Sequence, residues 1–224
     1  MKIVTTLFTA ATMFFISACG NSSENATTSS DTSTSTSTAA TEQPSTTQDT
    51  TKSGEGLMKS MNDMMDKMHS MQMTGDFDVD FANMMVAHHQ GALDMAQIEA
   101  SQGKDETMKS KAQEIPTKQK KEQQELKDFV QSYKPSGMKH GEGEIQKSMS
   151  KMMDKMKSMQ MSGDVDKDFA TMMVSHHQDG IDMAKMEVKN GMSDKLKQMA
   201  QKSIDDQQKE IKEFQTWLSA QKTN

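Results

Sequence analysis

Phe81-Ala82-Asn83-Met84-Met85-Val86-Ala87-His88-His89-Gln90 and, 88 residues on, Phe169-Ala170-Thr171-Met172-Met173-Val174-Ser175-His176-His177-Gln178 are one pattern written twice. On a helix, Phe81, Met84, Met85, His88, Ala92, Met95 and Glu99 fall within about 120° of arc at roughly 100° per residue. That spacing predicts a helix whose buried stripe carries methionine and histidine. No strand-like alternation occurs along the chain, so the fold class is all-α.

Working outward, Ser60–Gly103 and Ser148–Gly191 align without a gap, and 28 of the 44 pairs are identical. Lys104–Val130 and Met192–Leu218 continue in register, but only 7 of 27 pairs match. Two tandem domains are therefore expected, at residues 57–134 and 144–224, with a linker at 135–143 around Lys134-Pro135-Ser136-Gly137. Each repeat reads as three helices, giving about six in antiparallel bundles. The first runs from Leu57 to Met73 (Glu144 to Met161), with Met61, Met64, Met65, Met68 and Met71 at helical spacing. Thr74-Gly75-Asp76 breaks it, and Asp76 or Asp78 can cap the second helix. The second helix ends at Gly103 and Gly191, where left-handed C-terminal glycines are expected. The third runs from about Asp105 to Ser132 (Ser193 to Ala220), with Ala112, Ile115, Leu126, Phe129 and Val130 as core candidates. Pro116 stands where the second repeat has Ile204, and predicts a kink or break.

Ahead of the repeats lies a different kind of sequence. Lys2, the apolar run Ile3–Ile16 and the ending Ile16-Ser17-Ala18-Cys19 read as a lipoprotein signal peptide over residues 1–18, with Cys19 the acylated residue. Cys19 is the only cysteine, which excludes a disulfide framework and a thiolate metal site within the chain. Residues 19–56 are rich in Ser and Thr and are expected to be a disordered, lipid-anchored tether. The protein is thus expected at the bacterial cell envelope.

Net charge is −6, and all 26 basic residues are lysine. Without arginine, and without a basic patch interleaved with aromatics, nucleic acid is excluded as an expected partner. Methionine, at 26, outnumbers leucine, isoleucine and valine together, at 21.

Thioether sulfur is a soft, neutral ligand suited to Cu(I), while imidazole suits either copper state. Met84 and His88, Met85 and His89, and their copies Met172 with His176 and Met173 with His177, are neighbours one helical turn apart. Met95 and Met183 extend the same stripe. The first helix adds Met61, Met64, Met65, Met68, His69, Met71 and Met73, and its copy adds Met149, Met152, Met153, Met156, Met159 and Met161. Methionine also fills irregular cores well, so its presence alone decides nothing. The duplication is more telling. All nine methionines of Ser60–Gly103 are methionine in the second copy, whereas of six Leu, Ile, Val or Phe residues only Phe81 and Val86 are unchanged. Exchange of Met for Leu in a core usually costs less than about 1.5 kcal/mol, so filler should have drifted.

The Phe-x-x-Met-Met-x-x-His-His-Gln stretch followed by Asp-Met-Ala, at Phe81–Ala96 and Phe169–Ala184, resembles domain of unknown function 305. That resemblance implies ferritin-like helical bundles and secreted proteins associated with copper binding and resistance. It also implies that Met85, His88, His89, Met173, His176 and His177 belong to the functional site. The expected function is metal binding without catalysis: copper, as Cu(I) with Cu(II) or Ag(I) as alternatives, for buffering, resistance or transfer. The expected partners are the metal, the membrane through the lipid anchor, and a copper-delivery or efflux protein. Two alternatives stand beside it, a metal-free methionine-rich interaction module and a ferritin-like metal oxidase. The oxidase needs Glu-x-x-His on two helices, and that motif does not occur.

Overall fold

A computed structural model describes residues 47–135, 137, 139 and 141–222. The expected signal peptide, Cys19, the tether up to residue 46 and His140 lie outside these residues. Six helices follow one another: α1 Thr47–His69, α2 Phe77–Gln102, α3 Glu106–Ser132, α4 Glu142–Lys157, α5 Val165–Asn190 and α6 Asp194–Ala220. No strand occurs among the described residues. The all-α bundle of six helices, three per repeat, is the one the periodicity predicts.

Their ends differ from expectation in instructive ways. The first helix starts at Thr47 and so takes in the last ten residues assigned to the tether. Gly54 lies against the second repeat, where an added Cβ would sit 3.5 Å from Asp168 Oδ2 and 3.7 Å from Met161 Cβ. That tertiary contact, which composition cannot show, holds the segment in place. At the other end the helix stops at His69, and its copy at Lys157, so Met71, Met73, Met159 and Met161 lie beyond the helices. The cause is a clamp from the next helix. Asp80 accepts hydrogen bonds from the backbone N–H groups of Thr74 (2.8 Å) and Gly75 (3.0 Å). Asp168 does the same for Ser162 (2.7 Å) and Gly163 (3.1 Å). The turn needs a left-handed residue, supplied by Gly75 at φ 84° and Gly163 at φ 83°. Of the two candidate caps, Asp76 is the one used, accepting from Val79 N, and Asp164 caps α5.

Gly103 and Gly191 do end α2 and α5, but for another reason than a left-handed turn. Their φ values are −62° and −61°, in the extended region. A Cβ there would meet Glu99 Oε1 at 2.1 Å and Glu187 Oε1 at 2.0 Å. The glycines leave room for buried glutamates. Pro116 does not break α3, which runs unbroken from Glu106 to Ser132. Asp105 and Ser193 cap α3 and α6 through their side chains.

Asp78 leaves its own helix end free for Asp76 and reaches the other repeat. Its carboxylate accepts from Met192 N (3.0 Å), Ser193 N (2.8 Å) and the Tyr133 hydroxyl (3.1 Å). Asp166, its counterpart, accepts from Lys104 N (3.0 Å) and Asp105 N (2.8 Å). The start of each central helix therefore sits at the end of the other, so α2 and α5 run antiparallel. The two repeats share one hydrophobic core. Because each central helix is surrounded by others, α2 buries residues all round, Ala82, His89, Gly91 and Leu93 included. The predicted 120° stripe is only part of its buried surface.

The two aspartates have acid partners. Glu99 and Glu187 are fully buried, and no hydrogen-bond donor reaches their carboxyl oxygens. Burial, and then the facing Asp166, push the Glu99 carboxyl up to about 9. Burial, and then the charge of Asp78, push Glu187 up to about 9 as well. Two carboxyl groups facing each other in a dry site cannot both ionise. At neutral pH each glutamate therefore keeps its proton.

Candidate metal-binding core

Where α2 crosses α5, His88 meets its own counterpart. The two rings stack with centroids 3.6 Å apart and planes 28° apart. His88 Nε2 lies 3.0 Å from the His176 carbonyl oxygen, and His176 Nε2 lies 2.9 Å from the His88 carbonyl oxygen. A carbonyl can only accept, so each Nε2 carries the proton and each Nδ1 keeps its lone pair. Burial, and then the neighbouring histidine (His176 for His88, His177 for His176), hold both rings well below the ordinary histidine value. Both are neutral. Gly180 makes room at this crossing, since a Cβ there would come within 2.9 Å of His88 Cε1.

His89 and His177 point away from the crossing to the third helices. His89 Nε2 is 3.2 Å from Glu122, and His177 Nε2 is 2.9 Å from Glu210. In each, Nε2 is the ring nitrogen turned toward the carboxylate and Nδ1 is turned away from it. All four Nδ1 atoms are buried with no hydrogen-bond partner. A buried imidazole nitrogen left without a partner is costly, and four of them together call for an explanation. The second pair differs from the first in one respect. Lys118 Nζ also reaches Glu210, at 2.7 Å. Burial raises the Glu210 carboxyl, but the hydrogen bonds and charges of His177 and Lys118 outweigh it and hold the group at about 2.

The core that encloses the histidines is rich in methionine. Met61, Met64, Met65, Met68, Met84, Met85, Met95, Met149, Met152, Met172, Met173 and Met183 are all buried in the shared core. Met64 presses so closely on α2 that a Cβ at Gly91 would lie 2.7 Å from its sulfur. Met71, Met73, Met153, Met156, Met159 and Met161 are half-buried at the edge of that core. His69, a candidate ligand of the first helix, is exposed at the end of α1, while Met65 one turn before it is buried. Among the described residues, no three side chains drawn from His, Cys, Asp and Glu come together in a metal-holding group.

Sequence reasoning missed Glu122 and Glu210. The signal was present, because Glu122 and Glu210 are one of the seven identical pairs in the otherwise divergent third helices. Gln119 and Gln207, another of those pairs, are buried as well. Among the described residues, no helix is long and apolar enough to cross a membrane.

A family model described as "Domain of unknown function (DUF305)" matches the chain twice, over residues 25–130 and 78–218. No curated protein matches, and no solved structure matches.

Proposed function

Since the chain belongs to the DUF305 family, we propose that it is a metal-binding protein, not an enzyme, and that its core takes a soft cation, Cu(I) foremost, on methionine sulfur and histidine nitrogen. The observation that carries this reading is the set of four buried Nδ1 atoms without hydrogen-bond partners inside a core rich in methionine. A neutral imidazole nitrogen and a thioether are the donors that suit Cu(I). His88 and His176, held neutral by burial, need no proton released before they ligate. The lipobox-like Ile16–Cys19 supports a place for the protein at the cell envelope, anchored by lipid, where it buffers the ion or passes it to a delivery or efflux protein.

Of the alternatives, a methionine-rich gripping surface is disfavoured because Met192 is the one large hydrophobic residue that is well exposed among those described. An oxidase is disfavoured because its carboxylate and histidine cluster is missing among the same residues. Burial itself favours a second reading, in which the methionines are packing only. Anaerobic competition between the full chain and a Cu(I) chelator separates the two. Retention of Cu(I), and its loss in a Met84→Leu/Met85→Leu/Met172→Leu/Met173→Leu variant that keeps its helical circular dichroism, is the expected result. If the wild-type chain releases all Cu(I) to a weak chelator, the metal reading is wrong and the packing reading stands.

A further inference from the structure

The two copies of the histidine motif differ in the space beside them. Beside His89 a cavity of about 480 Å³ opens between α2, α3 and α6, lined among others by Met85, His89, Glu122, Leu126, Met199 and Ser203. The corresponding space in the second copy is about 250 Å³. Its walls are the counterparts of the first cavity's walls, but Met173 and His177 are absent from its lining. The floor has been covered.

Four substitutions between copies account for this. Leu126 corresponds to Phe214, whose ring lies 6.0 Å from that of His177. Ser203 corresponds to Ile115, which adds apolar bulk to the second wall. Met199 corresponds to Lys111, whose ammonium pairs with Glu213 across the groove. Lys118 completes the seal by bridging to Glu210 at 2.7 Å. In the first copy the residue at that place is Asp206, which cannot donate to Glu122. It pairs instead with Lys202 at 2.6 Å and Lys118 at 3.3 Å. Glu122 is left to His89.

We infer that the cavity beside His89 is where a soft monovalent cation enters and leaves the core, taken by the thioethers of Met85 and Met199 and the imidazole of His89, while the space beside His177 is a closed structural copy. This rests on the reading that the core binds such an ion. Two thioethers and an imidazole meet the ion's preference for soft donors, and the Glu122 carboxylate at the wall balances its charge. Met199 is the ligand that only one copy possesses. In the other its place is held by a cation.

The test uses the full chain with carbon-13 in its methionine methyl groups and Ag(I) as a redox-silent probe. At sub-stoichiometric Ag(I), the methyl signals of Met85 and Met199 should shift before those of Met173. Leu126→Phe with Ser203→Ile, which places the second copy's closing residues in the first, should abolish the early shifts. Met199→Leu, a smaller change, should weaken them with the fold intact. Conversely, Phe214→Leu with Ile115→Ser should let Met173 respond early. Early shifts at Met173 in the wild type, or early shifts at Met85 that survive both closing and Met199→Leu, would overturn the inference and leave metal binding standing. If no methyl signal responds to Ag(I), the metal reading fails and this inference fails with it.

Discussion

Raising the pH above neutrality should weaken the metal-free fold by stripping the two protons that Glu99 and Glu187 hold. Both carboxyls are buried and pushed from 4.5 to about 9 in the folded chain. A group raised in this way stabilises fully below its unfolded value. The contribution declines as pH rises and is gone once the folded value is passed. At pH 7 the unfolded chain has lost both protons and the folded chain keeps them, so folding takes up two. Each is worth about 1.4 kcal/mol per pH unit, and the pair at most about 2.7. From pH 7 to 8.5 that amounts to about 2–4 kcal/mol once partial relaxation of the site is allowed for. For a chain of this size it corresponds to a fall in Tm of roughly 5–15 °C. His88 and His176 act in the opposite direction, but only below about pH 6.5, where the unfolded chain begins to protonate them. The assay is thermal melting by circular dichroism at pH 7, 7.75 and 8.5, for wild type and for Glu99→Gln/Glu187→Gln. The amide mimics the protonated acid, so the variant should melt at nearly the same temperature throughout. Lysines and termini are common to both proteins and cancel in the comparison. Parallel loss of Tm in the two would refute the account of protonated glutamates.

Gly103→Ala and Gly191→Ala should each cost about 1–3 kcal/mol in denaturant midpoints, because the new Cβ meets the glutamate oxygen at 2.1 and 2.0 Å. An ordinary surface-glycine result, no loss or a slight gain, would contradict the packing described. Lys118 faces its own counterpart Asp206 at 3.3 Å, so Lys118→Asp alone should destabilise by about 1 kcal/mol. Adding Asp206→Lys should recover part of that in a double-mutant cycle, and strict additivity would rule the coupling out. His69→Ala, at an exposed position, should leave Ag(I) stoichiometry unchanged by mass spectrometry, and a lost equivalent would place His69 in the site.

What the sequence revealed depended on whether the information was local. Helix identity, the capping Asp76 and the turn at Thr74-Gly75-Asp76 are set by neighbours in the chain, and they were legible. The extension of α1 to Thr47 was not, because Gly54 is fixed by Met161 and Asp168, more than a hundred residues away. Gly103 was placed correctly and explained wrongly. A glycine after a helix suggests a left-handed residue, and only the coordinates show Glu99 occupying the space of its missing side chain. The reach of Asp78 to Met192 and Ser193 was equally invisible, since a carboxylate in a first helical turn reads as a cap. The motif pairs came out as one site. Their crossing at His88 and His176 could not be read, because a repeat in sequence does not say how its copies pack.

Exposure now sharpens the argument from the duplication. Phe77 and Val165 correspond, as do Leu93 and Ile181, and all four are buried although their identities have changed. Buried apolar positions in this core therefore tolerate exchange. Met84 with Met172, Met85 with Met173 and Met95 with Met183 are buried as deeply and have not changed. Packing alone treats these two groups alike, so it does not account for the difference. The edge of the core is more telling still. Met71, Met73, Met159 and Met161 lie beyond the helix ends and are only half-buried, where the constraint from close packing is weakest. They are retained nonetheless. A role for sulfur predicts retention at both places, because a soft ion bound in the core needs donors along its route as well as at its resting place. On that account the loop methionines are the outer rungs of the same ladder, and their exchange for leucine should slow Ag(I) uptake while leaving its final stoichiometry unchanged.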